Sequence, residues 1–201
     1  MLYLGGEYVP DNCANPDHVA IIVPYRDRAE QLPVFLGHIH PFLMVQHIHY
    51  RIYLVNQADD NEFNRAALMN VGFKESLKDF NWTCFIFHDV DHLPEDARNL
   101  YSCPDQPRHM AVSIDKWNYK LPYPAYLGGI VALRREHYEK INGVSNQFWG
   151  WGGEDDDIRQ RIQDSGLSFI RISPDIGRYT TTKHGDPIKN EEYSTDRWVF
   201  G

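Results

Sequence analysis

The first half of the chain alternates three short apolar runs with two stretches of helical periodicity. The apolar runs are 19–23 (VAIIV), 50–55 (YRIYLV) and 83–87 (TCFIF), and the helical stretches are 29–44 and 64–77. Continuous apolar runs of this length are typical of strands buried on both faces of a parallel sheet. The order strand–helix–strand–helix–strand therefore predicts an α/β fold with helices on the faces of the sheet.

The second half of the chain is less regular. We expect strands at 110–114, 129–133 and 168–172, and helices at 134–141 and 154–164. The last helix opens with acidic residues, which suit the positive end of a helix dipole. The segment 1–17 contains two adjacent glycines and is expected to be an extended, loop-like lead-in. Because no linker or repeat interrupts the chain, one domain over 1–201 is expected, with 185–201 as a tail.

Charge and hydropathy exclude some function classes. A formal net charge of −8 argues against nonspecific nucleic-acid binding, which needs a basic surface. No apolar run reaches the length of a membrane span and no signal peptide is recognisable, so we expect no membrane contact by this segment. The chain is then either soluble as it stands or a catalytic fragment of an anchored protein.

The three cysteines, Cys13, Cys84 and Cys103, do not have zinc-site spacing. The separation between Cys84 and Cys103 permits a disulfide and leaves Cys13 over. The triplet Asn81-Trp82-Thr83 is an N-glycosylation sequon. These features together indicate a secretory compartment.

Acidic and basic side chains follow two of the predicted strands. Asp89 and Asp91 come directly after the third apolar run, and the segment 24–28 (PYRDR) follows the first. The carboxyl ends of parallel strands meet at one edge of the sheet, where ligands bind. Two carboxylates with this spacing suit Mg²⁺ or Mn²⁺, and such ions commonly sit on substrate phosphates.

The segment 149–157 (WGWGGEDDD) is the most specific motif. Four adjacent carboxylates repel one another and need a cation, a helix amino terminus or a polyol ligand to offset the repulsion. The glycines allow a ligand to approach the backbone and permit a loop to move. The faces of Trp149 and Trp151 can stack on sugar rings.

With these motifs in place, the sequence resembles the β-1,4-galactosyltransferase family. The motifs that carry the resemblance occur in the same order, over about 5–184: Phe63-Asn64-Arg65-Ala66, Asn70-Val71-Gly72-Phe73, Asp89-Val90-Asp91, Gly128-Gly129, Asn142-Gly143 and the 149–157 segment. The resemblance implies a Rossmann-like nucleotide-sugar transferase domain of GT-A type with a mostly parallel central sheet. It also implies transfer of galactose from UDP-galactose to the 4-hydroxyl of a terminal GlcNAc, with inversion and with Mn²⁺ or Mg²⁺.

The same resemblance assigns roles to individual residues. Asp155 would be the general base on the acceptor hydroxyl, and Glu154 would act beside it. The implied donor-binding residues are Pro24, Tyr25, Arg26, Arg28, Phe63, Asn64, Arg65, Asp89, Val90, Lys116 and Trp151. The implied sugar-contacting residues are Tyr123, Tyr126, Gly152, Gly153, Asp156, Arg197 and Trp198.

The implied metal ligands are Asp91, His184 and Asp186. GlcNAc-directed members often have a methionine three residues before the histidine, where this chain has Thr181. Asp186 is therefore expected to complete the set. The chain also ends where the family usually continues, so its tail is short relative to the family.

Other functions remain open at this stage. UDP-GalNAc is an alternative donor and xylose an alternative acceptor, although Tyr126 and the stretch 152–154 favour galactose and GlcNAc. A glycan-binding module without turnover is an alternative of another class, and a metal-dependent hydrolase is disfavoured because its usual histidine-rich ligand sets are missing. For a fragment of a type II membrane protein the resemblance implies the Golgi lumen.

Overall fold

The computed structural model describes residues 2–3, 5–11 and 17–183. Its strands are β1 (Leu2–Tyr3), β2 (Glu7–Tyr8), β3 (His18–Tyr25), β4 (His49–Asn56), β5 (Cys84–His88), β6 (His92–Pro94), β7 (Arg108–His109), β8 (Ser113–Ile114), β9 (Ile130–Arg134), β10 (Ile170–Arg171) and β11 (Arg178–Thr181). Its helices are α1 (Gln31–Met44), α2 (Arg65–Asp79), α3 (Arg135–Lys140) and α4 (Glu154–Asp164), with a short 3₁₀ helix at Asp115–Trp117.

Eight of these strands form the central sheet, in the order β1-β2-β4-β3-β5-β9-β7-β10. The middle of the sheet is parallel, because β3 pairs in parallel with both β4 and β5. Within this sheet, as far as its strands are described, only β2 and β9 run against the others. The prediction of an α/β fold is confirmed, with antiparallel pairings on either side of a parallel centre.

Burial on both faces of the sheet explains the continuous apolar runs. In β3, Val19, Ile21 and Val23 face the core that α1 covers, while Ala20 and Ile22 face the core that α2 covers. Side chains of successive strand residues point to opposite faces, so a strand covered on both sides needs no polar alternation. Because β3 and β5 pair in parallel, their carboxyl ends lie at the same edge of the sheet.

Close helix packing depends on Gly72 in α2. A Cβ atom added there would lie 2.3 Å from Ile22 Cγ2 and 2.9 Å from Val55 Cγ2. The absence of a side chain lets α2 approach β3 and β4. Asn64 caps this helix, because its Oδ1 accepts a hydrogen bond of 2.8 Å from the Ala67 amide.

Two expectations about secondary structure were wrong. The run 110–114 is not one strand: β7, in the central sheet, ends at His109 before the run, and within the run only β8 (Ser113–Ile114) is a strand, in a separate three-stranded sheet with β6 and β11. An apolar run cannot show where a buried chain leaves one sheet for another. The segment 1–17 is not only loop, since β1 and β2 form a hairpin whose β2 pairs with β4. Gly5 and Gly6 turn this hairpin at φ values of +91° and +76°.

The disulfide between Cys84 and Cys103 is confirmed, with a Cα–Cα distance of 5.5 Å. It fastens the start of β5 to the loop that follows β6. Cys13 lies outside the described residues. None of the helices in the described ranges is long and apolar enough to cross a bilayer.

Candidate functional site

The predicted ligand-binding side chains collect at the carboxyl end of β5. Asp89 follows this strand directly, Arg65 is the first residue of α2, and Glu154 and Asp155 are the first residues of α4. Asn64 links the start of α2 to the segment before α4, because its Nδ2 donates a hydrogen bond of 2.8 Å to the carbonyl of Asn146. The loop that leads into α4 is thus attached to the start of α2.

Arg65 lies at the centre of this cluster. Its Nε is 2.7 Å from Asp89 Oδ1, its Nη1 is 3.1 Å from Asp155 Oδ1, and the same Nη1 is 3.8 Å from Glu154 Oε1. Its Nη2 donates to the carbonyl of Gly129 at 3.1 Å. The planar guanidinium can hold several acceptors in fixed directions. One side chain therefore connects the end of β5 with the start of α4.

The electrostatics of the cluster favour a proton on Asp155. Burial, reinforced by the negative charge of Glu154 and opposed by Arg65, raises the pKa of Asp155 to about 8. Burial likewise raises the pKa of Glu154, against the attraction of Arg65. Burial disfavours the charge of Arg65 itself, but the surrounding carboxylates outweigh it and raise the pKa of the guanidinium. A carboxylate with a pKa near neutrality is suited to accept a proton during catalysis.

The other two acids of the 149–157 segment have partners within the protein. Asp157 Oδ2 accepts hydrogen bonds from the Ser145 amide at 2.9 Å and from Arg161 Nε at 2.6 Å. Asp156 Oδ1 lies 3.7 Å from Arg159 Nε. Arginines and the helix dipole therefore offset the repulsion between the acids, which explains how four carboxylates can stand together.

The aromatic-glycine loop before α4 is open to solvent. Trp149 is 40% exposed and Trp151 is 52% exposed. Gly150, Gly152 and Gly153 adopt φ values of +80°, +110° and +95°, which favour glycine. The exposed indole faces leave room for the predicted stacking on a sugar ring, which stays a prediction.

Tyr126 and Tyr123 form a wall next to the acids. Their ring centroids are 5.5 Å apart, and the Tyr123 hydroxyl lies 3.3 Å from Asp156 Oδ1. A Cβ atom added to Gly128 would lie 2.3 Å from both Asp155 Oδ2 and the Tyr126 hydroxyl oxygen. Because Gly128 has no side chain, the carboxylate of Asp155, the predicted base, and the hydroxyl of Tyr126, the predicted donor-specificity residue, can both lie close to its Cα.

A candidate cation site adjoins this cluster. Asp89, Asp91 and His92 each offer a ligand atom, and these atoms lie within 4.8 Å of one another. His92 is 2% exposed, and its Nδ1 lies 2.7 Å from Asp91 Oδ1. The carboxylate oxygens fit a hard divalent cation such as Mn²⁺ or Mg²⁺. His92, which the sequence interpretation missed, orients one of them.

The strand β11 leads the chain towards the same place. It pairs antiparallel with β6, and the Thr182 amide donates to the Asp91 carbonyl at 2.9 Å. Thr181 is not directed at a cation, since its hydroxyl donates to Asp115 Oδ1 at 2.8 Å. The predicted ligands and acceptor residues further along the chain lie outside the described residues: His184, Asp186, Arg197 and Trp198.

The remaining predicted donor-binding residues are more dispersed. Tyr25 ends β3, and Arg26 extends from the next position over the ring of Phe63 at 5.4 Å. Arg28 Nη1 donates to the Asp27 carbonyl at 3.2 Å. Lys116 is exposed in the 3₁₀ helix, with its Nζ 4.6 Å from the ring of Trp117.

Pro24 and Val90 have buried side chains, and the side-chain amide of Asn64 is used by the helix cap. These residues would have to contact a ligand through their backbone or hold neighbouring residues in place.

Comparison with protein families matches two consecutive models to this chain. Residues 1–104 match the N-terminal region of glycosyl transferase group 7, and residues 108–185 match the N-terminal domain of galactosyltransferase. The chain belongs to this galactosyltransferase family. Both halves of the site, around Asp89 and around Asp155, fall within the matched ranges.

Curated relatives of this galactosyltransferase-family chain include two mammalian enzymes. It is 47% identical over 193 residues to β-1,4-galactosyltransferase 4 of Cricetulus griseus, covering 96% of this chain and 56% of the relative. It is 48% identical over 188 residues to β-1,4-galactosyltransferase 1 of Homo sapiens, covering 94% of this chain and 47% of the relative. The chain therefore spans about half the length of the curated relatives it matches.

Solved structures confirm the GT-A type fold. A mutant of Drosophila β-1,4-galactosyltransferase 7, in complex with manganese, UDP-Gal and xylobiose, is 40% identical with a TM-score of 0.69, covering 77% of this chain and 64% of that one. A mannosyltransferase from Pyrobaculum calidifontis is similar in fold alone, at 14% identity and a TM-score of 0.58, covering 86% of this chain and 59% of that one.

This member of the galactosyltransferase family also uses residues that no motif indicated. Arg171 Nη2 donates to the carbonyls of Pro124 at 2.7 Å and Tyr126 at 2.9 Å. His109 Nε2 lies 2.9 Å from the Gly128 carbonyl, and burial lowers the pKa of His109 to about 3. The imidazole is therefore neutral and holds the backbone beside Tyr126. Only the folded chain brings these residues to the site.

Proposed function

We propose that this chain is the catalytic domain of a β-1,4-galactosyltransferase. It transfers galactose from UDP-galactose to the 4-hydroxyl of a terminal GlcNAc, with inversion at the anomeric carbon. One observation carries the proposal: Arg65 joins Asp89, at the donor side, to Asp155, a partly buried carboxylate with a raised pKa. Relatives named β-1,4-galactosyltransferases, 47–48% identical, support the same reaction.

In this reaction Asp155 accepts the proton of the acceptor hydroxyl while that oxygen bonds to the anomeric carbon. The bond between that carbon and UDP breaks from the opposite face, which inverts the configuration. Arg65 holds the carboxylate of Asp155 in a fixed orientation. The loop carrying Trp151 excludes water from the donor. A bound Mn²⁺ or Mg²⁺ would neutralise charge on the departing diphosphate.

Asp91, His184 and Asp186 are the proposed holders of the cation. The described residues that fit this role are Asp91 and, beside it, Asp89. The hydrogen bond from the Thr182 amide to the Asp91 backbone carbonyl supports the inclusion of His184, because it brings the chain beside Asp91 two residues before the histidine. His92 would orient Asp91 through its Nδ1.

Xylose is a second candidate acceptor. The Drosophila galactosyltransferase 7, 40% identical to this chain, is in complex with xylobiose. GlcNAc remains the proposed acceptor because xylose-directed members resemble WGWGREDDE in the motif, where this chain has Gly153 and Asp157. Gly153 has a φ of +95°, so its backbone conformation is one that a side chain rarely adopts.

The proposed location is the lumen of the Golgi apparatus, with the domain belonging to a longer anchored protein. The disulfide between Cys84 and Cys103 supports a compartment of the secretory route, because structural disulfides persist in oxidising environments.

A matrix of donors and acceptors tests the proposal directly. Purified protein is incubated with Mn²⁺, UDP-galactose or UDP-GalNAc, and a GlcNAc or xylose acceptor, and both UDP and the disaccharide are measured. We expect a β-1,4-linked product from UDP-galactose and GlcNAc. Binding of glycan without product, in the presence of donor and cation, would instead identify a binding module without turnover.

The cation is tested in the same assay. We expect excess EDTA or Asp91→Ala to abolish transfer and to remove the Mn²⁺-dependent part of UDP-sugar binding, measured by calorimetry. Full activity in EDTA would contradict the cation dependence.

In the donor and acceptor matrix, product formed from the xylose acceptor alone would show that xylose is the acceptor.

A further inference from the structure

We propose that Asn81 is a site of N-linked glycosylation on the side of the domain remote from the proposed active site. The triplet Asn81-Trp82-Thr83 is the single Asn-x-Ser/Thr sequence in the 201 residues. Such a triplet is the acceptor for N-glycosylation when it reaches the surface of a secreted protein. The structure gives several independent reasons why this triplet is compatible with an attached glycan.

The first reason is its position. Asn81 lies in the connection between α2 and β5, at the amino end of β5, whereas Asp89 follows the carboxyl end of the same strand. A strand of this length rises roughly 16 Å, at about 3.3 Å per residue. A glycan on Asn81 therefore leaves the opposite edge of the sheet from the Arg65 cluster and does not obstruct donor or acceptor.

The second reason is the direction of the side chain. Asn81 is exposed, and its Oδ1 accepts a hydrogen bond of 2.8 Å from Arg135 Nη1. A guanidinium only donates, so the atom that faces Arg135 must be the oxygen. The Asn81 Nδ2, the atom to which an N-linked sugar is joined, is the other end of this amide. Glycosylation therefore leaves the contact with Arg135 intact.

The third reason is that exposed and buried side chains alternate along the triplet. Trp82 is fully buried and its Nε1 donates to the Tyr53 hydroxyl at 2.9 Å, while Asn81 and Thr83 are exposed. The Thr83 hydroxyl accepts from the His18 amide at 3.0 Å in the folded protein. Modification thus takes place on the extended chain, before Trp82 and Thr83 acquire these partners, and folding then leaves the glycan outside.

The covalent step needs a lipid-diphosphate-linked oligosaccharide as co-substrate. The Asn81 Nδ2 loses one proton and forms a bond to C1 of the first sugar, while the bond between C1 and the diphosphate oxygen breaks. The lipid diphosphate is the leaving group, and no oxidation or reduction takes place. The disulfide at Cys84, one residue after the triplet, is itself typical of the oxidising compartments of the secretory route.

Occupancy is measured on the 201-residue chain, directed into the secretory route of cultured animal cells by a cleavable signal. The secreted protein is weighed by intact mass spectrometry before and after peptide-N-glycosidase in ¹⁸O-labelled water. We expect a loss of mass equal to one oligosaccharide, with the ¹⁸O label confined to the peptide that contains Asn81.

Variants separate the sequon from other sources of mass. Asn81→Gln and Thr83→Ala should both lose the shift completely, whereas Thr83→Ser, which retains a hydroxyl, should keep it. UDP-galactose transfer by Asn81→Gln should match the wild type, because the site lies at the other edge of the sheet. Secreted wild type that carries an unmodified Asn81 overturns the proposal whatever the variants do, and it leaves the proposed transferase activity untouched.

Discussion

Replacing Asp155 with asparagine tests whether this carboxylate is the base. Asparagine has nearly the same shape but cannot accept the proton of the acceptor hydroxyl. General-base catalysis contributes about 10²–10⁴-fold, which corresponds to roughly 3–5 kcal/mol of activation free energy. We expect Asp155→Asn to lose kcat by that factor while the affinity for UDP in the presence of Mn²⁺ stays near that of the wild type.

The pH dependence supplies a second, quantitative test. With a pKa of about 8, Asp155 is the ionised base in only a small fraction of molecules at neutral pH. The ionised fraction rises as pH approaches this pKa, so kcat/KM should increase several-fold between pH 7 and pH 8. The sign follows from the role: the base acts deprotonated, so activity increases with pH. The measurement is initial rate against pH from 6 to 9 with GlcNAc and UDP-galactose.

Asp157→Asn is the matched control, because it removes the same charge from the same helical turn. Asp157 contacts Ser145 and Arg161 instead of Arg65, so its replacement should leave the shape of the pH profile unchanged. A flat profile in the wild type, or near wild-type kcat in Asp155→Asn, would place the base elsewhere.

Thermal unfolding reports the same titration without catalysis. A carboxyl with a pKa raised by folding stabilises the folded state at low pH, and this contribution is lost as pH rises towards about 8. The Tm of Asp155→Asn relative to wild type should therefore increase between pH 5 and pH 8. An unchanged difference would contradict the raised pKa.

Packing and covalent structure support three more predictions. Tyr126→Leu should markedly raise kcat/KM for UDP-GalNAc while transfer from UDP-galactose falls little. Each ~1.4 kcal/mol of transition-state stabilisation regained corresponds to a tenfold increase in rate. If transfer from both donors falls together, Tyr126 does not select the donor. Cys84 and Cys103 should both resist alkylation in denatured, unreduced protein, and loss of the bridge should cost about 3 kcal/mol of unfolding free energy; alkylation of either thiol would refute the pairing. Gly72→Ala should destabilise by about 1–3 kcal/mol in urea unfolding, because the added methyl overlaps two side chains of the sheet; unchanged stability would mean that α2 can shift away.

Local pattern was enough for the parallel centre of the fold. The apolar runs predicted β3, β4 and β5, and the helical periodicity predicted α1 and α2. A strand buried on both faces needs a continuous run of apolar residues, and a helix buried on one face needs apolar residues at helical spacing. The start of α4 was also predictable, since an acidic turn after glycines suits a helix amino terminus. The acids at 89, 91 and 154–157 were recognisable because carboxylates this close together repel one another unless a positive charge or a ligand offsets them.

Tertiary structure alone decided which of those acids act together. Arg65 lies 90 positions before Asp155, and nothing in either local sequence shows that one guanidinium holds Asp89, Glu154 and Asp155. Burial of that cluster, rather than the identity of its members, raises the pKa of Asp155.

The same limit applies to His92, to the end of β7 before the run 110–114 with β8 in another sheet, and to the support of Tyr126 by Arg171. The periodicity of apolar residues indicates which residues are buried, because buried positions favour apolar side chains. It does not indicate which residues pack against them, since those residues come from distant segments that only folding brings into contact.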